Sequence, residues 1–141
     1  MKNVNESIQG RVLVSGQASG PTMVLDEPLS FWGGFESDTG TIIDQAHPQV
    51  GECLAGRVVT MRVGRGSSSA STVLAEAIRR GTAPAALVMS EPDEIVALGA
   101  IVAEELYGLT MPVFVVDEAT LSAVAEASAA TLEPDGTITL R

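Results

Sequence analysis

The chain has 141 residues, 45% of them hydrophobic and only 18% charged, with a formal net charge of −10. That length is enough for one domain with a real core, and the charge argues against partners whose phosphates it would repel, nucleic acid and anionic membranes among them. One cysteine, Cys53, excludes an internal disulfide and by itself holds neither an iron–sulfur cluster nor a structural zinc; it is expected to be a small buried hydrophobe.

The first half of the chain reads as β-strands and glycine-rich loops. Arg11 to Ser15 and Pro21 to Leu25 are short strand-like runs, joined by the turn-forming set Gly16-Gln17-Ala18-Ser19-Gly20. Residues 28–35, Pro28-Leu29-Ser30-Phe31-Trp32-Gly33-Gly34-Phe35, gather three of the aromatics beside two glycines. They are read either as a hydrophobic plug or as a docking segment, and the two readings are compatible where a plug faces a partner. Thr41 to Asp44 is a third short strand. His47, beside Pro48, is expected to be solvent-exposed or locally hydrogen-bonded. In Arg57 to Val63, Val59, Met61 and Val63 alternate with Val58, Thr60 and Arg62, as in a half-buried strand.

Gly64-Arg65-Gly66-Ser67-Ser68-Ser69-Ala70-Ser71 then lies between that strand and a helix running from about Ser71 to Arg80. A helix N-terminus carries unpaired N–H groups and positive potential, which stabilise an anion or a serine oxyanion. The simpler use of such a serine is as an N-cap. Three serines beside an Arg between glycines exceed what one cap needs, which favours a site. Dinucleotide and triphosphate-loop fingerprints are absent.

Alternation of helix and strand follows. The first helix ends in Arg79-Arg80-Gly81, cations and a left-handed cap. Pro84 to Met89 is a continuous apolar strand. Ser90-Glu91-Pro92-Asp93 resembles a capping start with Ser90 as N-cap, opening a helix from Glu94 to Tyr107. Ile95, Leu98, Ile101, Val102 and Leu106 would line its buried face, and the rest is so apolar that the helix is expected between the sheet and another surface. The run Ile95 to Ala103 is too short to span a membrane. Pro112 to Val116 is a buried strand, Asp117 caps a short helix through Ala125, and Pro134-Asp135-Gly136 turns a terminal hairpin ending at Leu140. This order implies an α/β domain of three layers, a single unit over residues 1–141. Without an apolar leader at the N-terminus, a cytoplasmic protein is expected.

Several of these segments, in order, closely resemble the small subunit of the aconitase X family: Pro28-Leu29-Ser30-Phe31-Trp32-Gly33-Gly34, Ile42-Ile43-Asp44 with His47-Pro48, Gly64-Arg65-Gly66-Ser67-Ser68-Ser69, and Gly81-Thr82-Ala83-Pro84-Ala85-Ala86. The resemblance implies a swivelling β/β/α domain like the fourth domain of aconitases. It also implies a hydro-lyase that is active only with a large catalytic subunit, which would hold the iron–sulfur cluster. Ser67 aligns with the serine base of the superfamily's Gly-Ser-Ser-Arg loop. Arg65, Gly66, Ser68 and Ser69 would surround the substrate, a small hydroxy acid, and no metal would be held here. Ser69 replaces the superfamily's substrate-binding Arg, a task Arg65 could take. Phe31, Trp32 and Phe35 would face the partner. Two substrates are known in such proteins, cis-3-hydroxy-L-proline and mevalonate 5-phosphate; the acidic, lysine-poor composition favours the first. A non-catalytic swivelling module is the remaining alternative.

Overall fold

In the computed structural model, residues 6–64 and 67–141 are described. The elements run in the order β1 (Glu6–Gln9), β2 (Arg11–Val14), β3 (Ala18–Val24), β4 (Phe35–Glu36), β5 (Thr41–Ile42), β6 (Val58–Met61), α1 (Ala70–Arg80), β7 (Ala86–Met89), α2 (Glu94–Tyr107), β8 (Val113–Val115), α3 (Glu118–Glu126), β9 (Ala129–Leu132) and β10 (Thr137–Leu140). Eight strands form one sheet in the order β1-β10-β9-β3-β6-β7-β8-β2. Its two edge strands, β1 and β2, are separated in the chain by Gly10 alone. One nearly continuous stretch of backbone therefore supplies both edges, and the sheet curls until it is almost closed.

Strand β3 is the seam. Its first half, Ala18 to Pro21, pairs antiparallel with β9, and its second half, Thr22 to Val24, pairs parallel with β6. On the parallel side Met61, Met89 and Val115 stand in register on β6, β7 and β8. Two of the three parallel crossovers are βαβ units, and they send α1 and α2 to one face of the sheet, while the β3-to-β6 connection carries only β4 and β5. The strand began earlier than the sequence suggested: residues 18–20, read as a turn, already belong to β3.

Two apolar clusters follow from the curl. One, including Val59, Met61, Leu87 and Met89, fills the space between the sheet, α1, α2 and the segment from Leu25 to Leu54. The other collects Val58, Val88, Phe114, Leu132 and Ile138 inside the curl, where Leu121 and Val124 of α3 join it. The nearly closed sheet with α1 and α2 packed together on it agrees with the β/β/α arrangement that the family resemblance implied.

Strand β6 separates these clusters, so all four of its residues are buried. The half-buried strand expected from the alternation of Val59, Met61 and Val63 with Val58, Thr60 and Arg62 is corrected accordingly. The alternation distinguishes one core from the other rather than core from water. Thr60 faces the inner cluster, and its hydroxyl is buried without a hydrogen-bond partner. An unpaired buried hydroxyl is costly, so Thr60→Val is expected to raise stability by about 1 kcal/mol. Chemical denaturation checks this; a loss of stability would mean that the hydroxyl is satisfied.

Helix α2 departs most from expectation. Its bounds agree, but Val96, Gly99, Ala100 and Ala103 are the buried residues. Gly99 explains why: a Cβ there would lie 2.9 Å from the Ser71 carbonyl oxygen and 3.2 Å from Leu74 Cβ. The helices approach along a stripe of small residues, and the large apolar side chains are turned outward. Ser90 is also not the cap. Asp93 accepts from the N–H groups of Ile95 and Val96 at 2.9 and 3.1 Å, while the Ser90 hydroxyl donates to the Arg62 carbonyl at 3.1 Å.

Candidate functional site

The carboxyl ends of β6, β7 and β8 are where a parallel sheet offers a ligand site, because the following loops and helix N-termini converge there. Strand β6 ends at Met61, and the chain runs through Arg62, Val63 and Gly64 toward the serines. Arg65 and Gly66, two of the residues singled out from the sequence, lie outside the described residues.

Ser67 is partly exposed, and Ser68 and Ser69 are exposed. Helix α1 begins at Ala70, slightly earlier than read from the sequence, with Ser69 at the N-cap position making no side-chain cap bond. The backbone N–H of Ser69 instead donates to Ser67 Oγ at 3.1 Å. The Ser67 carbonyl accepts from Ala70 N–H at 2.9 Å, which fixes the turn. The Ser68 carbonyl is taken by Ser71, through both its N–H at 3.3 Å and its hydroxyl at 2.9 Å. Ser71 is thus a helix-start residue. A donor aimed at Ser67 Oγ stabilises negative charge on that oxygen, as does the positive end of α1.

Asp93 is a residue that sequence reasoning missed. One carboxylate oxygen caps α2, and the other lies where a Cβ on Gly64 would be. A side chain at position 64 would displace the Asp93 carboxylate or the loop, and the serine loop is seated directly on the start of α2. Asp93 does fit the helix-start preference for Asp, so the signal was present but Ser90 competed for it.

The surroundings are acidic. Arg62 lies 3.9 Å from Glu91 and 3.5 Å from Glu118, both exposed pairs of small energetic worth. The hydroxyl and N–H of Thr120 hold the Asp117 carboxyl below the usual carboxylate range, so it stays charged at neutral pH. Asp117 caps α3, as expected from the sequence.

The aromatic segment divides. Phe31 and Phe35 are core residues with ring centroids 5.1 Å apart in an edge-to-face pair, which corrects the expectation that they face a partner. Trp32 is 56% exposed. Its backbone is held on both sides by Ser30, whose hydroxyl accepts from Trp32 N–H at 3.2 Å and donates to its carbonyl at 2.9 Å. Phe31 lines a small void with Gly64, Ala70 and Ile95, whereas the next residue, Trp32, turns its side chain to the outside.

A family model described as "Aconitase X swivel domain" matches residues 7–140. The chain belongs to that family. The swivel domain is 50% identical over 103 residues to the cis-3-hydroxy-L-proline dehydratase of Pseudomonas aeruginosa, covering 73% of this chain and 18% of that one. It is 42% identical over 93 residues to the phosphomevalonate dehydratase small subunit of Methanothermobacter thermautotrophicus, covering 66% of this chain and 71% of that one. Among solved structures, aconitase X of Thermococcus kodakaraensis superposes with a TM-score of 0.81 at 26% identity, over 96% of this chain and 98% of that chain. The chain spans about one fifth of the length of the dehydratases it matches from Pseudomonas aeruginosa and Hypocrea jecorina.

The donor set of this swivel domain does not fit a cluster. Cys53 is exposed, not the buried hydrophobe expected, with its thiol 3.6 Å from the Thr39 carbonyl. Among the described residues no three His, Cys, Asp or Glu side chains gather as metal ligands. His47 is locally bonded as expected but buried: Nδ1 accepts from Gln49 N–H and Nε2 donates to the Glu27 carbonyl, each at 3.0 Å. It anchors the loop between β5 and β6. No helix among the described residues is long and apolar enough to cross a membrane.

Proposed function

We propose that this chain is the small swivelling part of a two-part hydro-lyase that dehydrates cis-3-hydroxy-L-proline, with Ser67 as the base. The observation that carries this reading is the Ser69 N–H directed at a partly exposed Ser67 Oγ at the head of α1. A free serine is a feeble base, and a fixed backbone donor together with the helix end makes its oxyanion accessible. Ser67 Oγ takes the proton from the carbon next to the substrate carboxylate. That electron pair forms the ring double bond, the carbon–oxygen bond at the neighbouring carbon breaks, and the hydroxide that leaves together with the proton taken by Ser67 makes up the one water lost. A pyrroline carboxylate remains.

The cluster implied by the family resemblance is assigned to a large catalytic partner, since the residues here do not suit it. Ser68 and Ser69 supply hydroxyls beside Ser67, and Arg65 is the candidate for the substrate carboxylate. The acidic groups next to the loop, Asp93 against Gly64 and Glu91 and Glu118 around Arg62, favour a zwitterion with a ring ammonium over a substrate with a phosphate dianion. The higher identity to the hydroxyproline enzyme supports the same choice. Mevalonate 5-phosphate is the second reading, supported by the relatives that are separate small subunits.

The test is reconstitution with the host's own large subunit, assaying both substrates. The chain alone is expected to be inactive, and the pair to turn over cis-3-hydroxy-L-proline with kcat/KM at least about tenfold above mevalonate 5-phosphate, a difference of about 1.4 kcal/mol in transition-state stabilisation. Activity of the chain alone, or the reverse preference, would overturn the proposal.

A further inference from the structure

Helix α2 turns its large apolar side chains to the outside. Leu98 is 50% exposed, Ile101 45% and Leu106 66%. Large residues pointing outward from a helix whose only charged residues are Glu94, Glu104 and Glu105 indicate that a covering surface is missing. Small residues on the inner side, led by Gly99, already bind α2 to α1. No rotation of the helix could bury Leu98 and Ile101 without losing that contact.

The apolar surface has a direction. It begins at the start of α2, which abuts the serine loop through Asp93 and Gly64 and where Ile95 is half-buried. From Ile95 it continues along α2 through Leu98 and Ile101 to Leu106. A body that completes the site around Ser67 would lie against this end of the domain, where the apolar strip of α2 begins beside Gly64. Size makes the same point. A 14-residue helix is about 21 Å long, and one face of it is a fraction of the ~800 Å² per side of a stable interface. The occupant must extend beyond the helix, and the exposed Trp32 is the further side chain assigned to it.

Charge selects among occupants. Glu94, Glu104 and Glu105 are exposed on α2, and the chain carries a net charge of −10. Two copies joined through this face would bring like charges within a Debye length. An anionic lipid surface would be repelled in the same way. A surface with an apolar centre and a Lys/Arg rim satisfies both features.

We propose that the outer face of α2, together with Trp32, seats the large catalytic partner, which presents an apolar groove rimmed by basic residues. This rests on the two-part reading above and adds where the two parts meet. It is tested by titrating the purified large subunit with the full chain and with Leu98→Ser/Ile101→Ser, Glu94→Lys/Glu105→Lys and Trp32→Ala variants. Turnover of cis-3-hydroxy-L-proline is measured on the wild-type complex.

Each variant is expected to bind at least tenfold more weakly while melting within a few degrees of wild type, because the replaced side chains are exposed. The wild-type affinity is expected to fall as salt rises. Unchanged affinity of Leu98→Ser/Ile101→Ser in a pair that turns over the substrate overturns the docking face and leaves the dehydratase reading intact. A complex that depends on Leu98 and Ile101 but is inactive supports the docking face and overturns the dehydratase reading. No complex at all overturns both. A wild-type dimer in sedimentation that the Leu98/Ile101 variant dissociates assigns the face to a second copy, which also overturns the proposal.

Discussion

Ser67→Ala is expected to lower turnover of the reconstituted pair by about 10³-fold, within the range that a positioned general base contributes. The hydroxyl is partly exposed, and its hydrogen bond is one donated by Ser69 N–H, a group that water can satisfy once the oxygen is gone. The loss therefore falls on the chemistry rather than on the fold. Melting temperature and affinity for the large subunit are expected to stay close to wild type, and the KM for cis-3-hydroxy-L-proline to change little. Ser67→Thr keeps an oxygen at the same place and is expected to retain more activity than the alanine variant. Wild-type turnover by Ser67→Ala would remove this residue from the mechanism and return the loop to a helix start with no chemistry of its own.

Gly64→Ala should produce the second largest effect, through geometry. The added methyl would meet the Asp93 carboxylate oxygen that does not cap α2. Either Asp93 turns away and α2 loses its cap, at a cost of about 1 kcal/mol, or the loop moves and takes Ser67 with it. A displacement of about 1 Å at a reacting group costs about 10²-fold in rate. The expected result is a fall in kcat of about that size, with the melting temperature lower by about 3 °C. Gly64→Ala/Asp93→Ser separates the two routes. Serine caps a helix almost as well as aspartate and lacks the obstructing oxygen, so activity should largely return. A single variant with unchanged kcat would show that Ser67 is not held by this contact.

Local chemistry was the legible part of this chain. Glu94 to Tyr107 was delimited by its nearly apolar run after the Ser90-Glu91-Pro92-Asp93 start. Gly81 was marked as a left-handed cap by its position after Arg79 and Arg80, and it has φ of 80°. Asp117 and the Pro134-Asp135-Gly136 turn were likewise readable, since each acts on neighbours a few residues away. The family resemblance depended on short motifs in order, and those motifs are mostly loops whose residues are chosen by backbone geometry.

Contacts between distant segments were not legible. Ser90 and Asp93 both suit an N-cap, and the choice was made by the Arg62 carbonyl, which takes the Ser90 hydroxyl and lies 28 residues away in the chain. Phe31 and Trp32 are adjacent and both aromatic, yet one is in the core and the other in solvent, because Ser30 holds the turn that points them apart.

What the amino-acid order determined by itself was most of the strands and helices, with β1 and β4 unread and β3 begun too late, and a serine loop placed before a helix. Only the tertiary structure decided which side of each element is inside. For α2 the pattern of large apolar residues pointed to a buried face of Leu98, Ile101 and Leu106, whereas close approach to α1 required the small side, Gly99, Ala100 and Ala103. The physical reason is that burial depends on the distance between two surfaces, and a one-dimensional pattern carries the size of each side chain but not the gap it must fill.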